Sequence, residues 1–288
     1  MAIDPKITKI ICDLVKTKPR TIQEISVSIK KNWRTAERYV EKIEEETGNI
    51  STRIFRKGTR GALKIVYWNG IEDIHSTSFQ EEILDNLMRG KSKGDFTPFD
   101  IYQYVEAKNK SVFVEDITDL NPEKDLSQRT DFIGFLKQAK KQILIFSGNL
   151  SWINSEQGEL KVIDTLRELV KKNVSIKVVT RVSIIGADNV KKLLALNKEI
   201  GKDAIEIRHR YQPLRGMIID NHVAKLREKK YPEYYNTREL KRKLEIFYDI
   251  FDKEWIEWLE KVFWKMFSTG IPAEKRLKEI ELIKTKLV

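Results

Sequence analysis

Residues 22–43, IQEISVSIKKNWRTAERYVEKI, decide the fold of the first part of the chain. Thr21, immediately before them, is a suitable N-cap, and the isoleucines of residues 22–29 recur at helical spacing, which predicts a short helix. Residues 30–32, KKN, form a tight turn. A longer amphipathic helix follows, and we expect its core-facing residues to be Trp33, Ala36, Val40 and Ile43.

The segments on either side of this helix pair complete a small domain. Residues 7–17, ITKIICDLVKT, have apolar side chains at helical spacing, and Pro19 ends this first helix. Residues 50–68 alternate in polarity and contain the turn KGTRG, which predicts a β-hairpin with a basic tip. Three helices followed by a hairpin is the element order of a winged helix-turn-helix, which we assign to residues 1–70.

The outer face of the third helix is basic. In a winged helix this helix enters the major groove of DNA, where each base pair presents its own pattern of donors and acceptors. Arg34 and Arg38 lie four residues apart and share a face, and arginine is well shaped to bind guanine O6 and N7. We expect DNA contacts from Lys31, Asn32, Arg34, Thr35 and Arg38 on the helix and its turn, and from Arg53, Arg56, Lys57 and Arg60 on the hairpin. The alternative is a solvated basic helix in a winged helix that binds protein.

The composition favours an anionic partner. The 288 residues carry a net charge of +11, with 34% charged and 41% hydrophobic residues, so the chain is globular rather than disordered. An isoelectric point near 9.4 favours nucleic acid, although a membrane surface or a phosphorylated ligand would also suit a positive field. The stretch NWRTAERYVEKI also resembles the recognition helix of archaeal winged-helix transcription regulators. That resemblance implies DNA binding.

Several other kinds of site are not expected from this sequence. Cys12 is the single cysteine, which excludes an internal disulfide and favours the reducing cytoplasm. The first residues lack a secretory pattern, and no apolar run approaches the roughly 20 residues that span a bilayer, so we expect no membrane partner. The three histidines, His75, His209 and His222, lack metal-ligand spacing, and no glycine-rich nucleotide motif occurs, so neither a metal nor a cofactor is expected.

Strands and helices alternate in the second half of the chain. The predicted strands are residues 142–150, 174–182, 204–210 and 216–220, and the helical stretches between them predict an α/β domain with a parallel or mixed sheet. Residues 71–125 are expected to form a connector. From about residue 236 we expect a helical tail with an aromatic stripe that consists of Phe247, Phe251, Trp255 and Trp258. The predicted fold class is therefore multi-domain α/β, with an effector or dimerisation domain at residues 126–288.

The order of these elements resembles one half-unit of the phospholipase D-like superfamily. The resemblance covers about residues 126–267 and includes FSGNLSW, VVTRV, EIRHR and FDKEWIEW. Active members carry His-x-Lys-x4-Asp, in which the histidine attacks phosphorus and the lysine neutralises the oxyanion. The same spacing counted back from Asp220 places Pro213 at the histidine position and Arg215 at the lysine position. Because proline offers no nucleophile, the resemblance implies this fold without its phosphodiesterase chemistry.

Polar residues at the ends of the predicted strands could form a ligand pocket. In open α/β sheets, ligands bind at the carboxyl ends of the strands. The candidate ligand-binding residues are Ser147, Asn149, Arg181, Arg208, Arg215 and Asp220. Arginines together with hydroxyl and amide donors suit a phosphate, a sulfate or a sugar. The alternative is that these are ordinary polar residues, with Arg215 and Asp220 forming an internal ion pair.

A winged helix joined to a degenerate phospholipase D-like domain resembles the archaeal TrmB-type transcription regulators, whose effector is typically a sugar. The resemblance implies a non-enzymatic, cytoplasmic regulator that binds double-stranded DNA and could sense a small molecule. A homodimer is expected, because two reading helices bind paired half-sites and a phospholipase D-like half-unit usually completes its fold with a second copy. Two alternatives remain, a phospholipase D-family nuclease or phosphodiesterase and a sequence-nonspecific chromatin or basal transcription factor.

Overall fold

The computed structural model describes residues 4–17, 19–47, 50–56, 62–68, 78–117, 131–234 and 240–286. The chain divides into two compact units, Met1–His75 and Ser76–Val288. Each unit has its own β-sheet and its own buried apolar residues. None of the helices in the described ranges is both long and apolar enough to cross a membrane.

The first unit has the element order that the sequence predicts, with one added strand. Its described elements are α1 (Pro5–Thr17), β1 (Arg20–Thr21), α2 (Ile22–Ser28), α3 (Trp33–Thr47), β2 (Ile50–Arg56) and β3 (Ala62–Trp68). The strands form an antiparallel sheet in the order β1-β3-β2. The predicted hairpin is confirmed, with Arg56 opposite Ala62 next to its turn. Strand β1 was not predicted, because two residues are too few to show an alternating pattern.

Local hydrogen bonds explain where α2 begins and ends. The Thr21 hydroxyl accepts the N–H of Glu24, and the Glu24 carboxylate accepts the N–H of Thr21, a capping box that confirms the predicted N-cap. At the other end, Lys30 has a φ of 53°, and the N–H of Lys31 binds the carbonyl of Ser26. This is a Schellman motif with lysine at the position that usually holds glycine. It ends α2 and starts the turn into α3.

The core of the first unit confirms most of the predicted inward residues and corrects one. Ala36, Val40 and Ile43 are buried, as expected. Trp33, which was predicted to face the core, is 51% exposed. As the first residue of α3, its side chain leans toward the helix N-terminus and past the end of the buried stripe. The start of α3 therefore presents an exposed aromatic ring.

The second unit consists of a large mixed sheet with helices packed on it. Its described helices are α4 (Ser78–Arg89), α5 (Phe99–Tyr102), α6 (Phe132–Lys137), α7 (Val162–Lys171), α8 (Ala187–Ile200), α9 (Lys253–Ser268) and α10 (Ala273–Lys286). Its described strands are β4 (Lys110–Asp116), β5 (Gln142–Phe146), β6 (Glu156–Gln157), β7 (Leu160–Lys161), β8 (Ser175–Thr180), β9 (Ile205–His209), β10 (Gly216–Ile219), β11 (Val223–Lys230), β12 (Leu244–Ile250) and β13 (Ile271–Pro272). Strands β6 and β7 form a separate small hairpin.

Strand directions decide which residues share an edge of the large sheet. In the described residues the strand order is β13-β9-β8-β5-β10-β11-β12-β4. Strands β5, β8 and β9 are parallel, whereas β10 runs antiparallel to β5. The start of β10, at Gly216, therefore lies beside Phe146 at the end of β5. The predicted fold class is confirmed, since the chain is α/β and its large sheet is mixed.

Two stretches of the second unit differ from the sequence prediction. Residues 244–250 were expected to be helical, but they form β12, which pairs with β11 and with β4. Phe247 is therefore on a strand and not on the helix that carries Trp255 and Trp258. The expected connector at residues 71–125 contains α4, α5 and β4, and β4 is an edge strand of the large sheet. Both differences arise because strand pairing joins segments that are far apart in sequence.

Candidate functional site

Acidic residues of α3 are held against the hairpin of the first unit. Lys64 Nζ, on β3, lies 3.3 Å from Glu37 Oε1 and 2.7 Å from Glu41 Oε1. Burial lowers the pKa of Lys64, but its hydrogen bonds to Glu41 and Glu37 outweigh this effect and raise the pKa above its ordinary value of 10.5. One turn further on, Glu44 Oε1 accepts the backbone N–H of Thr52 at 2.8 Å. These carboxylates are thereby turned toward the sheet.

Another side of α3 is cationic. Arg34 and Arg38 are exposed and make no ion pair with any described residue. At 3.6 residues per turn, they lie almost opposite the buried Ala36 and Val40. Lys31, in the turn before the helix, is also exposed. We refer to this surface as the α3 outer face, which consists of Lys31, Trp33, Arg34 and Arg38.

The other predicted DNA contacts divide into two groups. Asn32 is exposed, but its Oδ1 accepts the N–H of Thr35 at 2.9 Å, so this side chain caps α3, and Thr35 itself is half-buried. On the hairpin, the structure describes the backbone of Arg53 and Arg56, both in β2. The side chains of Arg53 and Arg56, and the whole of Lys57 and Arg60, lie outside the described residues. Among the predicted DNA contacts, the described side chains are therefore those of α3 and of the turn before it.

A cavity of about 860 Å³ lies in the second unit beside the start of β10. It is bounded by residues 92–98, by residues 227–231 of β11 and the segment after it, and by Pro213 and Arg215. Its charged lining residues are Lys93, Asp95, Asp100, Arg215, Arg227, Glu228, Lys229, Lys230 and Glu245. The volume is in the range of small-molecule sites. The cavity includes both positions at which the resemblance aligned the catalytic histidine and lysine.

Arg215 is a half-buried cation that has no carboxylate partner among the described residues. Its NH1 donates to the backbone carbonyls of Leu214, at 2.6 Å, and Gln212, at 3.2 Å. Burial, followed by the nearby cations Arg227 and Arg181, lowers the pKa of Arg215 to about 10. A guanidinium that is desolvated beside like charges is stabilised by a bound anion.

Three of the carboxylates that line the cavity bind partners other than Arg215. Glu245 Oε1 lies 3.1 Å from Arg227 NH1, and Glu228 Oε2 lies 2.8 Å from Lys230 Nζ. Asp95 accepts hydrogen bonds within its own turn, from the N–H groups of Lys91 and Ser92 and from the Ser92 hydroxyl, and they hold its pKa below the ordinary value. None of these carboxylates forms a recorded ion pair with Arg215.

Of the six predicted pocket residues, Arg215 lines the cavity, and the loop that carries Ser147 and Asn149 contacts Arg215 through Gly148. Gly148 packs against its guanidinium so closely that a Cβ at this position would lie 2.9 Å from Arg215 Nε. The carbonyl of Gly148 accepts the N–H of Arg181, whose side chain is exposed. Ser147 and Asn149 flank Gly148 but bond within their own loop. Ser147 Oγ accepts hydrogen bonds from Leu150 N and Trp152 Nε1, and Asn149 Oδ1 accepts one from Ser151 N.

The structure places Arg208 and Asp220 away from this cavity, which corrects the prediction. Arg208 pairs with Glu206, and its guanidinium lies 5.3 Å from the ring centre of Phe267. Asp220 caps the start of β5, where it accepts backbone N–H groups from Lys140, Lys141 and Gln142. Because β10 is antiparallel to β5, Asp220, which directly follows β10, lies beside the start of β5, whereas Arg215, which directly precedes β10, lies beside the end of β5. No ion pair joins Arg215 to Asp220 in the described structure.

Neither His209 nor His222 lines the cavity. His209 is buried, and its Nδ1 accepts the backbone N–H of Val182 at 2.9 Å. His222 is exposed in the turn between β10 and β11, at the edge that holds Asp220. His75 lies outside the described residues. Within the described part of the chain, no group of three or more histidine, cysteine or acidic residues is placed to hold a metal ion.

Sequence reasoning missed the part of the cavity that comes from the predicted connector. Lys93 Nζ lies 3.0 Å from Tyr231 Oη and 4.4 Å from the centre of the same ring. These two residues are 138 positions apart in sequence, so no local pattern relates them. The run of charges in Arg227–Lys230 was the available signal, and it became informative only when β11 was seen to line a cavity.

Comparisons with known proteins find structural neighbours only. No protein-family model matches the chain, and no curated protein matches it. One similar structure is Nuc, a phospholipase D family member from Salmonella typhimurium, with 16% identity and a TM-score of 0.37 over 57% of this chain and 97% of that chain. Another is phosphatidylserine synthase from Haemophilus influenzae, with 12% identity and a TM-score of 0.38 over 80% of this chain and 63% of that chain. A third is TrmBL2, an archaeal chromatin protein that shows a novel mode of DNA binding, with 13% identity and a TM-score of 0.34 over 90% of this chain and 88% of that chain.

Proposed function

We propose that this protein is a non-enzymatic transcription regulator that binds double-stranded DNA through the α3 outer face. The observation that carries the proposal is the separation of charge on α3. Lys64 binds both Glu37 and Glu41 at the sheet and compensates one of their two charges, whereas Arg34 and Arg38 are exposed without a carboxylate partner in the described structure. The potential on the outward side is therefore positive, as binding to phosphates requires. The resemblance to TrmB-type regulators supports the same function.

The arginines and the hairpin have different parts in this proposal. A recognition helix presents the residues of its N-terminal half to base edges, and that half of α3 carries both arginines. Arg34 and Arg38 are therefore the proposed base readers. Lys31 and the basic hairpin residues Arg53, Arg56, Lys57 and Arg60 are the proposed phosphate contacts, which position the helix without reading sequence. Trp33 offers an apolar surface for a thymine methyl group or a sugar.

The test is a comparison of a preferred duplex, selected from a random library, with a random duplex. Fluorescence anisotropy at several salt concentrations gives the dissociation constant for each. We expect Arg34→Ala and Arg38→Ala each to reduce the preference for the selected duplex about tenfold. Arg56→Ala and Lys57→Ala should weaken both duplexes alike and reduce the salt slope by about 1 each. Lys9→Ala, which removes an exposed charge from α1, is the control and should change neither constant by more than about twofold.

Three outcomes would contradict the proposal. If all four variants lose the same affinity for the selected and the random duplex, the protein is a sequence-nonspecific chromatin or basal transcription factor. No binding at low salt would exclude the DNA interface itself. Plasmid cleavage in EDTA that is lost when His209 or His222 is replaced would support the alternative function, a phospholipase D-family nuclease, whose chemistry does not need a metal.

We also propose that the cavity at Arg215 binds an effector that carries a phosphate, sulfate or carboxylate group. The specific observation in its favour is the half-buried guanidinium without a carboxylate partner in the described structure, with Arg227 lining the same cavity. An anion there would accept hydrogen bonds in the bidentate geometry that arginine favours. Gly148 leaves room for the guanidinium, because any larger residue would displace it.

Thermal unfolding in phosphate and in chloride, at equal ionic strength, tests the effector site. The wild-type chain should be more stable in phosphate, because a ligand that binds only the folded state stabilises it. Arg215→Met should unfold at a higher temperature than wild type in chloride, since a desolvated charge is removed, and should lose the part of the phosphate effect that exceeds the general stabilisation by this excluded salt. Arg89→Met, at an arginine on α4 whose side chain is 79% exposed, is the matched control and should keep it. A phosphate effect that is as large in Arg215→Met as in Arg89→Met would refute the assignment.

A further inference from the structure

Among the described residues, no strand pairs with the outer side of β4, so this strand forms a long edge of the large sheet. It is seven residues long, KSVFVED, and it is the last strand in the sheet order of the described residues. The opposite edge is formed by β13, which is two residues long. Val112 and Val114 on β4 are 50% and 47% exposed. A long edge strand with exposed apolar side chains is a template for pairing with another chain, which folded proteins normally avoid unless a partner uses it.

The hydrogen bonds to β12 show which backbone groups of β4 point away from β12. Next to the ends of the ladder, the N–H of Ile117 binds the carbonyl of Lys243, and the N–H of Phe251 binds the carbonyl of Asn109. In an antiparallel pair, residues that exchange such bonds alternate with residues that do not. The odd-numbered residues of β4 therefore bond to β12. The residues that direct N–H and C=O groups outward are Lys110, Val112, Val114 and Asp116.

We infer that the open edge of β4 pairs antiparallel with β4 of a second copy of this chain, about a two-fold axis at Phe113. In this register Val112 lies opposite the partner subunit's Val114, and Lys110 lies opposite the partner subunit's Asp116. The outward-directed backbone groups then form hydrogen-bonded pairs, with valines at the centre and Lys110 opposite Asp116 at both ends. Within the chain, Lys110 Nζ also binds the Tyr102 carbonyl at 2.9 Å, and Asp116 also pairs with Arg242 at 2.8 Å. A shift of two residues in either direction places Lys110 or Asp116 opposite a valine. The strand is thus complementary to itself in one register.

Self-complementarity is what a two-fold interface demands, because each residue must suit its symmetry-related neighbour. Cross-strand pairs of opposite charge and of apolar residues are both stabilising in antiparallel ladders. The inference gives the expected homodimer a defined interface. It is independent of the proposed function, because assembly is measured without DNA.

The first test uses charge reversal at the ends of the strand. Lys110→Asp places two aspartates opposite each other in its own dimer, and Asp116→Lys places two lysines opposite each other. We expect each variant alone to have the 33.9 kDa mass of the single chain in light scattering, at concentrations at which wild type is a dimer. An equimolar mixture of the two variants should dimerise, because both end pairs then join opposite charges. Misfolding cannot produce this recovery.

The second test removes one outward hydrogen-bond donor. Val114→Pro deletes an N–H that points away from β12, so the ladder inside the chain is preserved, and proline is tolerated at such an edge position. The two-fold axis removes this bond twice per dimer, and the dimer dissociation constant should rise about 30-fold. Val114→Ala, which keeps the N–H, is the matched control and should raise it less. Circular dichroism establishes that both variants are folded.

The third test fixes the register. Residue 113 lies opposite itself in the inferred pairing, so Phe113→Cys in a Cys12→Ser background should form a disulfide between two chains under mild oxidation. Ser111→Cys in the same background is the control, because residue 111 lies opposite Glu115 and should not cross-link. A wild-type chain that remains monomeric up to its solubility limit would overturn the inference. So would a dimer that is unaffected by Val114→Pro and by both charge reversals.

Discussion

Replacing Lys64 with methionine should weaken both the first unit and its binding to DNA. Lys64 Nζ contacts Glu37 and Glu41, with 14% of the lysine side chain and 30% and 51% of the two glutamate side chains exposed. Methionine retains the apolar stem, so the change removes mainly the two charged contacts. Hydrogen bonds to charged groups contribute about 1.5–3 kcal/mol when buried, but exposed pairs contribute about 0.2–1 kcal/mol each. At this partial exposure, we expect the free energy of unfolding to fall by about 1.5 kcal/mol.

The effect on DNA follows from the spacing of charges on α3. Without Lys64, Glu37 is free to pair with Arg34, and Glu41 with Arg38, because each pair is three residues apart. The arginines would then be partly neutralised, and affinity for duplex DNA should fall several-fold at low salt and less at high salt. Lys64→Met in a chain that also carries Glu37→Gln and Glu41→Gln should regain wild-type affinity.

Calorimetry of the full chain measures the first effect, and anisotropy with duplex DNA measures the second. A double-mutant cycle between Lys64→Met and Glu41→Gln isolates the pair, since contacting residues are not additive. A coupling energy below about 0.3 kcal/mol would show that the contact contributes nothing. Unchanged DNA affinity in Lys64→Met would show that the carboxylates do not control the outer face, and the reasoning from charge separation would fail.

Two further predictions concern stability. Burial and, to a smaller extent, the positive charge of Arg276 lower the pKa of His209 below its ordinary value of 6.5, and the charge of Glu279 opposes this shift. As the pH falls, the unfolded chain therefore binds a proton at His209 before the folded chain does. The free energy of unfolding should consequently fall as the pH drops below about 6.5. His209→Asn keeps an acceptor for Val182 but does not titrate, so the thermal stability of this variant should change less over that range; an identical pH profile would contradict the assignment. Lys30→Gly should stabilise the first unit by about 1 kcal/mol in denaturant unfolding, because glycine adopts the positive φ without strain. A loss of stability there would show that the lysine side chain has a role that its backbone conformation does not explain.

Much of the first unit could be predicted from the sequence. The N-cap at Thr21, the burial of Ala36, Val40 and Ile43 on α3, and the hairpin all follow from patterns along neighbouring residues, and all are confirmed. Trp33 was assigned to the core because it extends the apolar stripe by one turn. Trp33 is exposed because the first residue of a helix extends beyond the elements that cover the middle of the helix, and side-chain periodicity does not show where that cover ends.

The candidate cavity was predicted only in part. Arg215 was found because a resemblance pointed to its position. Arg208 and Asp220 were grouped with it on the assumption that the ends of successive strands meet at one edge. Strand β10 is antiparallel to β5, and this places Asp220 at the other edge. The loop that carries Lys93 was set aside as a connector, although it forms one wall of the cavity.

The sequence by itself determined the fold class, most helix boundaries and the basic outer face of α3, because these follow from side-chain spacing along a single element. Only the tertiary structure decided that residues 244–250 are a strand, that β4 lies at an open edge and that Arg215 has no carboxylate beside it in the described structure. The physical reason is the range of the interactions. Helix periodicity and capping act over three or four residues, whereas strand order, strand direction and charge pairing are settled by segments that meet only after the chain has folded.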